Sequence, residues 1–213
     1  MNFIIIGDKY QKGMKSKGCS GLIKINKTYN IFQNQYDNIK KIFPEANIVY
    51  VGGFESKKIE NFLSKYYDDV LFVNNREYES FNDGHSMFLA KEFLQSETFI
   101  MLGYTLLEIR TFKKFNINLG SQLFITENSD SPIGCIITNN TINNITFDLP
   151  NYVEDIYYLS KPDSRSLHKL LQNNRYKNYF MFELINQLID TGVVIKPHFY
   201  KKTKKSKYYA HTK

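Results

Sequence analysis

Gly7, Gly13, Gly18 and Gly21 are interspersed with Lys9, Lys12, Lys15 and Lys17 in one short stretch near the start of the chain. Glycine lets the backbone come close to a ligand, and lysine offers positive charge to an anion. The stretch follows Phe3-Ile4-Ile5-Ile6, an apolar, β-branched run of the kind buried in the middle of a parallel sheet. A strand running into such a loop is one way to hold a phosphate chain, with Gly7, Lys12, Gly13 and Lys15 as candidate contacts. Neither G-x-x-x-x-G-K-[ST] nor G-x-G-x-x-G occurs, so the loop is neither a P-loop nor a dinucleotide fingerprint. A solvated lysine loop without a ligand is the competing reading.

Other reactive residue types are sparse. Cys19 and Cys135 have no metal spacing and form no disulfide framework, which points to a reduced, intracellular protein. No His/Cys cluster suggests structural zinc, and no G-x-S-x-G elbow suggests a serine hydrolase. His85 sits before a helical pattern and is able to contact a base or move a proton near neutral pH; packing at the head of that helix is the simpler reading. His168 reads as a partly buried helix residue, His198 and His211 as tail residues, and Asp68, Asp69, Glu77 and Glu79 as solvated charges.

The elements that must position these residues follow from periodicity. Helices are expected over 28–43, 55–66 and 86–94, with strands at 48–51, 70–73 and 99–102 closing on Gly52-Gly53, Asn74-Asn75 and Gly103. This alternation predicts a mostly parallel α/β sheet that binds ligands at the carboxyl ends of its strands. After Gly120 the pattern changes to strands at 123–126, 133–138, 141–148 and 155–159, an antiparallel extension of the same sheet. Helices follow at 167–171 and 180–189, the second ending at Gly192.

The net charge of +7 is confined to one end. Residues 196–213 hold seven lysines and no acid, and without them 21 basic residues face 21 acidic ones. The chain therefore reads as one domain over 1–195 with a basic, aromatic-containing tail over 196–213. Lys201, Lys202, Lys204, Lys205 and Lys207 suit an acidic protein surface or a nucleic-acid backbone. No run approaches the roughly 20 apolar residues of a membrane span, and no basic region precedes the N-terminal apolar run, so neither a membrane nor a signal peptide is expected. The bias toward Asn, Lys, Ile, Tyr and Phe suits an AT-rich coding sequence, as in many phages and other viruses and in several bacteria. It leads to an expected location in cytoplasm, or in a host cytoplasm or virion.

In this layout the residues resemble the sugar-phosphate nucleotidyltransferases (pyrophosphorylases), including cytidylyltransferases that activate phosphocholine-like substrates. The resemblance is carried in order by Ile4-Ile5-Ile6-Gly7 through Met14, Leu22 to Ile25, Val51-Gly52-Gly53-Phe54, Asn74 to Ala90, Asp155 to Ser160 and Phe180 to Gly192. It implies a Rossmann-like, glycosyltransferase-A-like sheet flanked by helices. It also adds Asp8, Ser20, Asn82, Asp83 and Gly84 to the candidate nucleotide or phosphate contacts.

The same resemblance implies that catalysis has lapsed. The family's metal-binding Gly-Asp pair corresponds to Gly103-Tyr104, its signature arginine falls at Lys12 or Gly13, its proline-lysine pair becomes Cys19-Ser20, and its late aspartate has no counterpart after Gly192. A neutral phenol does not replace a carboxylate as a hard-cation ligand. The expectation is a nucleotidyltransferase-fold pseudoenzyme that serves binding or assembly, with no cofactor and a protein partner. An active Mg²⁺-dependent enzyme, with Asp8 or Asp83 as replacement ligand, and a nucleotide-binding regulator without turnover are the alternatives.

Overall fold

Asn2–Gly7 (β1), buried along its whole length, lies inside the sheet of the computed structural model, which describes residues 1–10, 13, 15–126 and 131–200. Asn47–Gly52 (β2) and Thr98–Leu102 (β4) flank it in parallel, and Val70–Asn74 (β3) pairs in parallel outside β2. Gln122–Thr126 (β5) and Tyr152–Leu159 (β8) continue the sheet, with β8 antiparallel to both β4 and β5. Lys196–Phe199 (β9) runs parallel to β5, so the main order is β3-β2-β1-β4-β8-β5-β9. Ile133–Thr138 (β6) and Thr141–Phe147 (β7) form a hairpin joined to β8.

Strand alternation sends side chains to opposite faces. Phe3, Ile5, Ile48, Tyr50, Phe99 and Met101 enter one core beneath α1 (Ile31–Ile42) and α2 (Ser56–Tyr66). Ile4, Ile6, Val49, Val51 and Ile100 enter the other, with α3 (Asp83–Leu89), α4 (Lys161–Leu170) and α5 (Met181–Asp190). Helices thus cover both faces of a mostly parallel sheet that carries antiparallel strands, the α/β class expected. Asn30 starts α1 with a capping box: its side chain accepts from Gln33 N at 2.8 Å, and Gln33 Oε1 accepts from Asn30 N at 3.0 Å.

Three expectations change. The helix expected over 86–94 is α3, which starts earlier at Asp83 and gives way to a 3₁₀ turn at Lys91–Phe93. Its start is fixed by a distant segment, because Gly84 N donates to Tyr179 O at 2.8 Å. The tail does not begin at 196. Residues 196–199 are β9, anchored by backbone pairing with β5 and by His198, whose ring sits 4.7 Å from that of Phe124. Asp69 is not merely solvated, since it pairs with Lys40 at 2.7 Å and accepts from the Tyr36 hydroxyl at 2.9 Å. Lys201, Lys202, Lys204, Lys205 and Lys207 lie outside the described residues. Among those described, no helix is long and apolar enough to cross a membrane.

Candidate ligand-binding cleft

Past the end of β1 the chain buries a carboxylate. Asp8 Oδ2 accepts from Ser86 Oγ at 2.8 Å and from Asn75 Nδ2 at 2.9 Å, while its carbonyl accepts from Phe54 N at 2.8 Å. Asp8 therefore ties the ends of β1, β2 and β3 to α3. Burial pushes its carboxyl above the usual range, the nearby Asp83 adds to the rise, and the Ser86 bond and Lys9 oppose it.

A second set of contacts joins residues 82–84 to the segment leading into α5. Asn82 Nδ2 donates to Asn178 O at 2.8 Å, and Asn82 Oδ1 accepts from Lys9 Nζ at 3.3 Å. Asp83 Oδ2 accepts from Met181 N at 3.1 Å, placing negative charge at the α5 N-terminus. Position 84 must be glycine because a Cβ there would stand 1.8 Å from Tyr176 O. Burial holds the Asp83 carboxyl above its ordinary range.

Between these latches, β8 and the β6–β7 hairpin lies a cleft of about 330 Å³. Asp8, Asp83 and Asp155 line it, and among the described residues its cationic lining residue is Lys9. Tyr10, Tyr104, Tyr157, Phe147, Phe180 and Phe182 supply aromatic walls. The Tyr104 hydroxyl donates to Asp155, and burial, followed by Asp155, holds the phenol well above its usual range. Tyr104 is therefore neutral near pH 7. Burial and Asp155 act on Tyr157 in the same direction.

The candidate residues separate on this geometry. Asp8, Asp83 and Tyr104 meet in the cleft, with Asn82 and Gly84 holding its wall. Ser20 is buried elsewhere, its Oγ 3.4 Å from both Gly7 O and the Tyr50 hydroxyl. Gly7 makes room for Tyr50, whose hydroxyl would lie 2.0 Å from a Cβ at that position. Gly13 is exposed, and Lys15 Nζ lies 5.2 Å from the center of the Tyr10 ring; neither lines the cleft. Lys12 lies outside the described residues. His85 is buried in α3, its ring 4.8 Å from Phe81 and its Nε2 3.2 Å from Glu77 Oε2, with no partner at Nδ1 among the described residues.

Sequence reasoning did not single out Asp155, Tyr157, Phe147, Phe180 or Phe182 for the site. The strand pattern over 155–159 held part of the signal, because period-two alternation puts Asp155 and Tyr157 on one face. A larger cavity, about 780 Å³, lies at the other end of β5 and β9, beside Ser121, Asp163 and Lys196. There Asp163 accepts from the hydroxyls of Ser121 and Ser160, a local anchor at the start of α4.

Among the described residues, no group of three or more His, Cys, Asp or Glu side chains is placed to hold a metal ion. Asp8, Asp83 and Asp155 share the cleft, yet each already accepts a hydrogen bond within the protein.

No family model and no curated protein matches the sequence. Solved structures do match the architecture. CTP:phosphocholine cytidylyltransferase (LicC) of Streptococcus pneumoniae superposes with a TM-score of 0.74 at 14% identity, over 94% of this chain and 90% of that one. The chain has the nucleotidyltransferase fold. The inositol-1-phosphate CTP transferase of T. maritima gives a TM-score of 0.75 at 17% identity, over 94% of this chain and 86% of its own. A nucleoside-diphosphate-sugar pyrophosphorylase of Vibrio cholerae gives 0.67 at 9% identity, over 95% and 93%. At these identities the likeness concerns architecture, and the chemistry of this nucleotidyltransferase-fold chain rests on its own residues.

Proposed function

We propose that this nucleotidyltransferase-fold protein has lost nucleotidyl transfer and acts as a binding protein through the cleft at the ends of β1, β4 and β8. The observation that carries this reading is the Tyr104–Asp155 hydrogen bond. By the resemblance in its motifs, Tyr104 stands where the family has a metal-binding aspartate. Phosphoryl transfer needs charge neutralised on the phosphate oxygens, and a protonated phenol bonded to the neighboring acid does not hold the cation that would supply it. Ser20, at the family's lysine position, is buried against Tyr50. Loss of one preorganised group typically lowers turnover by about two to three powers of ten.

Residues 201–213, with their six lysines, are the natural attachment segment for an acidic protein or a nucleic acid. The residue bias supports a phage or other viral source, with a role in assembly.

An active enzyme is the second reading, favored by the presence of Asp8, Asp83, Asp155 and Lys9 in one cleft. The two are separated by mixing the full chain with each NTP, Mg²⁺ and phosphocholine or sugar phosphates while following pyrophosphate. No release above the protein-free rate is expected. Sustained release would overturn the proposal, and nucleotide-dependent thermal stabilisation without release would identify a regulator.

A further inference from the structure

We infer that the open edge of the sheet at β3 pairs with the same strand of a second copy of this chain, antiparallel, in a symmetric dimer. The inference is independent of the cleft, whose described lining includes no residue of β3.

The main sheet ends in β3 on one side and in β9 on the other. An edge strand presents unpaired N–H and C=O groups, and proteins that avoid edge pairing blunt them with lysine, proline or a covering segment. β9 is blunted in this way. Lys196 N donates to Ser121 O at 2.9 Å and Tyr200 N to Ile125 O at 3.1 Å, so alternation turns the backbone of Pro197 outward. A residue without an N–H offers no donor there.

β3 has no such device. Its residues Val-Leu-Phe-Val-Asn include no charge and no proline, and among the described residues it pairs with β2 alone. Asn75 N donates to Gly52 O at 2.7 Å, so Leu71 and Val73 turn their backbone groups toward β2. Val70, Phe72 and Asn74 turn theirs outward. Val70 N donates to Tyr67 O at 3.3 Å, which leaves Phe72 N, Asn74 N and the three carbonyls facing the open edge. Parallel strands are usually covered on both faces, yet Leu71, level with Val49 on the α3 face, is 52% exposed.

Charge selects both the occupant and the register. Asp68 and Arg76 stand at equal distances along the chain before and after Phe72. Both are exposed, and neither forms an ion pair among the described residues. A second copy laid antiparallel with Phe72 opposite Phe72 brings Asp68 of each chain against Arg76 of the other. That self-complementarity is what a two-fold interface requires. In this register the two Phe72 residues exchange N–H and C=O, Asn74 N meets Val70 O, and Leu71 faces Val73. Centering the pair on Val73 would set Asp69 against Glu77, and like charges oppose that register. Centering it on Leu71 would leave Asp68 and Arg76 without each other. One strand pair buries little surface, so the dimer is weak, and the ion pairs set register more than affinity.

Sedimentation equilibrium of the full chain from micromolar to millimolar concentration tests the pairing, with amide hydrogen exchange read over the same range. A reversible monomer–dimer equilibrium is expected. Exchange should slow at Phe72 and Asn74 as the dimer forms and stay unchanged at Leu71 and Val73, which already face β2. Leu71→Lys should weaken association at least tenfold at an unchanged melting temperature, because the leucine is already exposed. Asp68→Arg and Arg76→Asp should each weaken self-association at least tenfold. An equimolar mixture of those two variants should restore it, since each supplies the charge that the other lacks. A chain that stays monomeric throughout, whether or not another protein covers the edge, overturns the proposal. So does a dimer in which Phe72 and Asn74 gain no protection, or one that neither charge variant disturbs. The concentration and exchange measurements need no variant, so they decide the matter even where a substitution impairs folding. Pyrophosphate release bears on the loss of transfer alone.

Discussion

Ser86 Oγ lies 2.8 Å from Asp8 Oδ2 and donates to it across 78 residues of sequence. Through that bond the first turn of α3 is fixed to the end of β1, and one wall of the cleft is set against the other. Ser86→Ala removes a donor from a buried carboxylate, leaving Asn75 as its side-chain partner. The cost expected is about 1–3 kcal/mol, read as a lower urea midpoint with an unchanged slope. An unchanged midpoint would mean that the bond contributes nothing net.

His85 makes stability depend on pH. Burial lowers its pKa below the ordinary 6.5, although Glu77 pulls the other way and Lys177 adds to the lowering. The unfolded chain then binds a proton more readily than the folded one. Stability from this group is present above pH 6.5 and is lost as pH falls through the folded value. Asp8 and Asp83, raised by burial, act with opposite sign at lower pH. His85→Phe, placed between Phe81 and Phe88, isolates the effect: between pH 7 and 6 its stability should vary less than that of the wild type.

Tyr104→Asp puts a further carboxylate beside Asp155. Like charges in a buried setting oppose folding, so the melting temperature should drop at pH 7. Millimolar Mg²⁺ should restore part of the loss in the variant and leave the wild type unmoved. A wild-type chain stabilised equally by Mg²⁺ would show that the cation binds without a carboxylate at position 104.

Shortening the chain has two expected outcomes, depending on the cut. Ending it after Tyr200 keeps β9 and the bond from Tyr200 N to Ile125 O at 3.1 Å, so the melting temperature should hold. Ending it after Ile195 removes β9 from β5 and His198 from the Phe115–Phe124 cluster. That cut should shift the thermal transition downward by several degrees or more. Equal melting temperatures for the two products would show β9 to be dispensable.

Most of the strands, and the helices on both faces, were legible because each run carried its own period. The helical period over 28–43 marked one helix, and the run through Ile4 to Ile6 marked a buried strand. The cleft was legible only in part. Asp8, Ser20, Asp83 and Tyr104 came from motif resemblance, and Gly7, Gly13 and Lys15 from an attractive pattern of glycines and lysines; Asp8, Asp83 and Tyr104 line the cleft, whereas Ser20, Gly7, Gly13 and Lys15 do not. Gly7 shows why: a glycine beside a ligand and a glycine beside Tyr50 look alike in one dimension.

The amino-acid order by itself determined the α/β class, most element positions and the neutral residue after Gly103, since local periodicity and residue type are properties of neighbors along the chain. Tertiary structure decided that Asp155 meets Tyr104, that Asp83 caps α5 and that 196–199 is a strand. Those depend on pairings between segments tens of residues apart, such as β4 with β8 and β5 with β9, whose register no local pattern encodes.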